Sequence, residues 1–315
     1  MMRKGVLPKV TIMIPTYNQE LFIVDAIQSA LAQDYENLEI VISDDISSDN
    51  TEEIVQQFLN DNSRVKYYKN AQNLGRVGNY HKVLYEYATG DWVVNLDGDD
   101  YYTDPTFISR AMNRILNQKD IVCYFGLNYV PKKLKAYKTQ LIDTDCYVFD
   151  GRFYLKHYFD IGGFYHLVTL YKREIALTDN KCYTFKGLQS DFHGIIRYCV
   201  YGNVIVAKED KYVWRIHDKN ASHSMDYKNK LEDELLCQNL IAEDIKDYYS
   251  ANETKQWLQK GEKWAKNDYV SSMLNRCPKP STLILGLIHL RLNKNYIIIY
   301  IKSLILTLFR VNLFR

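Results

Sequence analysis

From Val10 to Asp104, short apolar runs rich in β-branched residues alternate with stretches whose apolar residues recur at helical spacing, and this alternation narrows the possible folds more than any other feature of the chain. Val10–Ile14 reads as a strand ending at Pro15, followed by a turn at Thr16-Tyr17-Asn18. Glu20–Ala32 carries Ile23, Ile27, Ala30 and Leu31 at the spacing of one helix face. Leu38–Ser43 is a second strand, closed by Asp44-Asp45. Asp49 and Glu52 stand at capping-box spacing, so a helix is expected to about Asn60. Val65–Tyr68 is a third strand, Asn73-Leu74-Gly75-Arg76 leads into a helix reaching Ala88, and Trp92–Leu96 is a fourth strand. Asp104-Pro105 begins another helix, with Asp as cap and Pro at the first helical position. A βαβαβαβ order predicts an α/β fold: a mainly parallel sheet with helices on both faces and ligands bound at the carboxyl ends of the strands.

That rule sends Thr16-Tyr17, Asp44-Asp45 and the stretch after the fourth strand into one crevice. The last is the end of Gly90–Asp100, GDWVVNLDGDD, where Asp97, Asp99 and Asp100 place three carboxylates within four residues. Like charges so close raise one another's pKa unless a cation lies between them. A divalent metal, Mg²⁺ or Mn²⁺, takes such oxygen ligands together with phosphate. Gly98 would let a diphosphate approach the backbone. The competing reading of the loop alone is an acidic surface turn. No GxGxxG follows the first strand and no Walker lysine loop occurs, which argues against a dinucleotide oxidoreductase or a P-loop enzyme.

At 315 residues the chain suits one large α/β domain with an appendage. The net charge of +2 offers no general attraction for nucleic acid. Its distribution is uneven, because 281–315 holds Arg291, Lys294, Lys302, Arg310 and Arg315 with no acidic residue. Six cysteines lack CxxC spacing, which favours reduced thiols over disulfides or a zinc site. Met1–Lys9 contains no apolar leader run, so the catalytic part is expected in the cytoplasm.

The series VTIMIPTYN, IVISDD, SDNT, NLG and GDWVVNLDGDD resembles the amino-terminal half of family 2 glycosyltransferases, over roughly residues 10 to 220. The resemblance implies a GT-A fold of bacterial surface-polysaccharide type, a nucleotide-diphosphosugar donor (usually a UDP-sugar), a divalent metal, inversion at the anomeric carbon, and a glycan or lipid-linked acceptor. It further implies that Thr16 and Tyr17 line the base and ribose, Asp44 accepts the uracil N3 proton and Arg76 reaches the base or ribose. Asp97 then meets the ribose or a metal-bound water, and Asp99 holds the metal. Inverting transfer needs a general base for the acceptor hydroxyl. In the family this is the Asp of a Glu-Asp pair opening a helix; here Gly187-Leu188-Gln189-Ser190-Asp191 supplies Asp191, with Ser190 in place of Glu. Capping of that helix is the alternative role for Asp191 or Ser190. Tyr212–His217 is similar to the family's R-x-H segment, which makes His217 a further metal ligand and leaves Arg215 between a phosphate contact and a structural ion pair. His157 and His166 read as ordinary surface or packing residues. A catalytically silent sugar-nucleotide-binding or scaffold module is the competing function, motivated by Ser190.

These readings divide the chain into a catalytic domain over 1–225, a helical extension over 226–280 and an apolar basic tail over 281–315. In the extension, Leu231, Leu235, Leu236, Leu240 and Ile241 recur at helical spacing. In the tail, basic residues interrupt every apolar run before it reaches spanning length. An anchor on the inner face of the plasma membrane is therefore expected, or packing on protein.

Overall fold

Val10–Thr16 (β1) is buried along its whole length, as a strand covered on both faces should be. The computed structural model describes residues 7–59, 62–129, 134, 137, 139–209, 211–218, 220 and 227–276. Two compact units share the chain, the first ending at His217 and the second starting at Asp218.

In the first unit β1 lies parallel between Leu38–Asp44 (β2), with Thr16 beside Asp44, and Trp92–Asn95 (β4), with Met13 beside Asn95. Val65–Lys69 (β3) continues the sheet beyond β2. On the other side of β4 the order runs through Thr169–Lys172 (β9), Ile121–Leu127 (β6), Asn203–Lys208 (β10), Cys146–Asp150 (β8) and Gln140–Asp143 (β7). β9 is antiparallel to both β4 and β6, and β8 is antiparallel to both β10 and β7. A separate two-stranded ribbon joins Tyr101–Tyr102 (β5) to Tyr212–Val213 (β11). The helices are Ile23–Leu31 (α1), Thr51–Leu59 (α2), Gly75–Lys82 (α3), Phe107–Leu116 (α4), Gly151–Lys156 (α5), Tyr158–Ile161 (α6), Arg173–Asp179 (α7) and Ser190–Ile196 (α8). Ile12, Ile14, Ile40, Ile42 and Val94 form the core with Ile23, Ala26, Ile27 and Ala30 of α1 and Ile108, Ala111 and Met112 of α4. Each isoleucine, valine or methionine among them contributes roughly 1.5–3 kcal/mol by leaving water.

The expected βαβαβαβ order is present, with shifts that have local causes. β1 runs through Pro15 to Thr16. Met13 O accepts from Leu96 N, so Pro15, two residues on, faces the side where β4 has already left the sheet and a missing N–H breaks no ladder bond. α1 begins at Ile23 because the preceding amides hold the neighbouring loop. Asn18 N donates to Ser47 Oγ, Gln19 N to Thr51 Oγ1 and Glu20 N to Asp49 Oδ2. α4 begins at Phe107, two residues after Pro105, while Asp104 Oδ1 accepts from Thr106 N. Continuation of α3 to Tyr87 is a π-helical turn closed by Ala88 N on Val83 O. β10, the β7–β8 hairpin, α5 and α7 had no assignment from sequence; α6 enters the stretch Phe159–His166, which reads from sequence as a loop, and β6, which reads as a strand over 121–130, ends at Leu127.

The second unit contains the helices Tyr227–Ile245 and Ala251–Arg276, which pack on each other. Cys237, Ile241, Ala242 and Ile245 of the first and Trp257 and Ala265 of the second are buried. Among the described residues no helix is long and apolar enough to cross a membrane. The tail at 281–315 and the last four residues of the expected extension, 277–280, lie outside the described residues.

Candidate active site

The acidic loop leaves the sheet where β4 ends: Leu96 N donates to Met13 O, and Asp100 N donates to Asp97 O to close a tight turn. A Cβ on Gly98 would collide with Gln19 Oε1 and lie 3.1 Å from Ile23 Cδ1. A side chain at Gly98 would therefore have to displace the Gln19 amide and crowd Ile23 at the start of α1, a reason for glycine distinct from room for a diphosphate. Asp100 is buried; its Oδ1 accepts from Arg215 N at 2.8 Å, and its Oδ2 is buried without a hydrogen-bond partner. Burial, with Asp97 and Asp99 nearby, pushes the Asp100 carboxyl up to about 8. Burial and then Asp97 also raise Asp99.

Pairing of β11 with β5 carries Trp214–His217 across this loop. His217 Nε2 lies 2.8 Å from Asp99 Oδ2, and its ring stacks on Phe22 with centroids 4.8 Å apart. Arg215 donates to Asp99 O, stands over the Tyr101 ring and pairs with Asp25, the ion-pair member of its two sequence readings. Asp97 accepts from the Tyr80 hydroxyl of α3 and faces His166 Nε2 at 3.1 Å. His166 Nδ1 lies 3.0 Å from Asp191 Oδ2. One imidazole thus spans the acidic loop and the first turn of α8. Burial works against the His166 cation, but Asp97 and Asp191 outweigh it and raise the imidazole well above its usual value. Burial likewise opposes the Asp191 anion, and the His166 contact reverses the balance and lowers it.

Two sets of residues here suit a divalent cation. Asp99 and His217 form the pair expected from sequence. One ligand atom each from Asp97, Asp100 and His166 lies within 4.8 Å of the others. The partnerless, buried Asp100 Oδ2 amid three carboxylates is what a metal would relieve. Oxygen donors joined by an imidazole are compatible with Mn²⁺ as well as Mg²⁺.

At the other strand ends, Thr16 is buried, its hydroxyl on Gln19 Oε1 at 2.8 Å, and Tyr17 is half exposed. Asp44 is fully buried: Oδ1 accepts from Ser47 N at 2.7 Å and Oδ2 from the Tyr67 hydroxyl at 2.8 Å. Asp45 accepts from Leu74 N and Gly75 N, which holds the turn before Arg76. Arg76 Nη2 reaches Gly187 O at 2.9 Å, Leu188 O at 3.1 Å and Ser190 Oγ at 3.4 Å. In this structure Arg76 therefore grips the approach to α8, and Ser190, fully buried, lies against its guanidinium.

From sequence, 159–166 reads as a loop that could shape the acceptor site and His166 as an ordinary surface or packing residue, because the sense in which the following strand pairs was not legible. β9 runs against β4 and β6, so its amino end, with His166 just before it, lies at the carboxyl ends of its neighbours. The short His-to-strand step at 166–169 was the available signal. Nothing in the spacing indicated Tyr80 or Tyr67.

The family described as glycosyl transferase family 2 matches residues 11–178, just over half of the chain. The GalNAc(5)-diNAcBac-PP-undecaprenol beta-1,3-glucosyltransferase of Campylobacter jejuni is 42% identical over 96 residues, 30% of this chain and 30% of that protein. The chain therefore spans under a third of that relative's length. Staphylococcus aureus TarS 1-349 in complex with UDP-GlcNAc superposes with TM-score 0.60 at 19% identity, covering 89% of this chain and 79% of that one. The mannosyltransferase PcManGT of Pyrobaculum calidifontis, in complex with GDP-Man and Mn²⁺, gives 0.57 at 16% identity over 95% and 84%. The fold is the GT-A arrangement these transferases share, with helices added at the carboxyl end. By its family match, this chain belongs to glycosyl transferase family 2.

Proposed function

We propose that this chain is a metal-dependent inverting glycosyltransferase that moves a sugar from a UDP-sugar to a hydroxyl of a glycan or lipid-linked acceptor in surface-polysaccharide synthesis. The observation that carries the reading is the imidazole bridge from Asp97 of the acidic loop to Asp191 of α8, which supports a donor-side loop and a base facing one reaction centre. The Campylobacter relative's lipid-linked substrate name and the UDP-GlcNAc complex of TarS are in keeping with it.

Thr16 and Tyr17 are assigned to the base and ribose, and Asp97 to the ribose. Asp44 is assigned to the uracil N3–H, which requires the Tyr67 hydroxyl to give up its place on that carboxylate. Asp99 and His217 are the residues to hold Mn²⁺ or Mg²⁺, and the bound cation would supply charge stabilisation for the departing diphosphate. Asp191 takes the acceptor hydroxyl proton as the oxygen attacks the anomeric carbon from the face opposite the leaving group. Arg76, placed by sequence at the base or ribose, is assigned to steadying the chain before Asp191. We assign residues 1–225 to catalysis, 226–280 to a helical extension and 281–315 to contact with the inner face of the plasma membrane.

Release of UDP from UDP-glucose or UDP-N-acetylglucosamine in the presence of Mn²⁺ is the test. Asp99→Asn should abolish release, and Asp191→Asn should lower it roughly 10²–10⁴-fold while UDP still binds. Full activity in both variants refutes the mechanism. Metal-dependent UDP binding with no turnover on any acceptor would favour a silent binding module, the reading that Ser190 in place of Glu invites.

A further inference from the structure

The backbone around His166 is fixed on both sides. Val168 N donates to Tyr165 O, the Thr169 hydroxyl donates to the same carbonyl at 2.8 Å, and the Tyr102 hydroxyl donates to Leu167 O at 2.8 Å. Leu167 and Val168 are buried, so the backbone that carries the ring is held in the entry to β9. From this anchored position the two ring nitrogens face different carboxylates, Nε2 towards Asp97 and Nδ1 towards Asp191.

We propose that His166 is a positioning residue for the base: its Nδ1–H holds Asp191 Oδ2 and sets the direction from which that carboxylate takes the acceptor proton. The proposal rests on the transferase reading above. Asp191 Oδ1 already accepts from Phe192 N at 2.9 Å. With one oxygen held by backbone and the other by the imidazole, the remaining lone pairs point along few directions. An acceptor hydroxyl aligned with one of them loses its proton to Asp191 as its oxygen forms the bond to the anomeric carbon. The bond from that carbon to the diphosphate oxygen breaks with its electron pair on UDP. A misplacement of about 1 Å in such a group costs on the order of 100-fold in rate. The same histidine is equally available whether a cation rests on Asp99 and His217 or on the set including Nε2, because the Nδ1 side is unchanged.

Two substitutions separate the ring nitrogens. The amide of His166→Asn falls near the Nδ1 position and can still donate to Asp191, whereas that of His166→Gln reaches the Nε2 position and cannot. Expected is a fall in kcat of about 100-fold for H166Q, with donor KM and calorimetric UDP affinity in Mn²⁺ held within about threefold, and recovery of about tenfold of that loss in H166N. Equal losses in both variants, or a loss of UDP affinity that matches the loss of turnover, would overturn the proposal. A second measurement does not depend on turnover. In histidine-labelled protein the Nδ1–H resonance missing from H166N should be present in wild type and displaced in Asp191→Asn. An unmoved or absent resonance overturns the hydrogen bond. A wild-type protein that shows it but releases no UDP from any donor instead counts against the transferase reading.

Discussion

Replacing Asp100 by Asn removes a charge that the folded chain resists. The native carboxyl is raised to about 8, whereas an unfolded Asp titrates near 3.9. Between these values the folded state binds the extra proton, so this group makes the wild type less stable as pH rises, and the penalty stops growing above pH 8. At 1.36 kcal/mol per unit it amounts to about 1.5 kcal/mol at pH 5 and about 4 kcal/mol at pH 7. Asn keeps an acceptor for Arg215 N and carries no charge, so the variant escapes the penalty. Urea unfolding in the presence of a chelator should show Asp100→Asn gaining about 3 kcal/mol on wild type between pH 5 and pH 7. Adding Mn²⁺ should then narrow that gap. A cation at 100 times its dissociation constant stabilises wild type by about 2.7 kcal/mol, and the variant, lacking the carboxylate, should gain less. If the cation rests on Asp97, Asp100 and His166, the second of the two sets, Asp100 must lose its proton to serve as a ligand, and cation affinity should climb about tenfold per pH unit towards pH 8. A difference between the proteins that stays constant with pH, or equal stabilisation of both by Mn²⁺, refutes the reasoning.

At the opposite ends of the strands, buried Glu39 is held by Lys9, Lys66, Thr11 and Thr89. Burial alone would raise its carboxyl, but these partners lower it to about 2. A depressed acid stabilises the fold above its unfolded pKa and loses that effect as pH falls through the folded one. Glu39→Gln should therefore cost about 3 kcal/mol at pH 7 in chemical unfolding, and the gap to wild type should close between about pH 4.5 and pH 2. Ile46 has φ 63°, a left-handed conformation that costs a β-branched residue roughly 1–2 kcal/mol, and its side chain is 37% exposed. Ile46→Gly should raise the midpoint of thermal unfolding by the equivalent of up to about 1 kcal/mol, after the greater entropy of the unfolded glycine. A lower midpoint would show that Ile46 contributes more by packing than it loses by strain.

Much of the first hundred residues was legible because the deciding forces there are local. Short apolar, β-branched runs and period-3.6 patterns identify β1 to β4 and α1 to α3 without a partner in view, and the carboxyl-end rule set Asp44 and Asp97 to Asp100 at the same edge of the parallel sheet. Legibility failed where pairing partners lie far apart in the chain. β9 pairs with β4 and β6 in the reverse sense, a choice that no residue within 166–172 encodes, and the sense of that strand is what sets His166 beside Asp97. Arg76 likewise meets Gly187 and Ser190 across more than a hundred residues, so its side-chain length said nothing about its partner. By itself the sequence determined the layered α/β scaffold, the acidic loop and the family, since strand, helix and turn preferences are written in neighbouring residues. Only the tertiary structure decided which ring nitrogen faces which carboxylate and which carboxylate oxygen of Asp100 is left without a hydrogen bond, because burial and long-range pairing are properties of the assembled sheet.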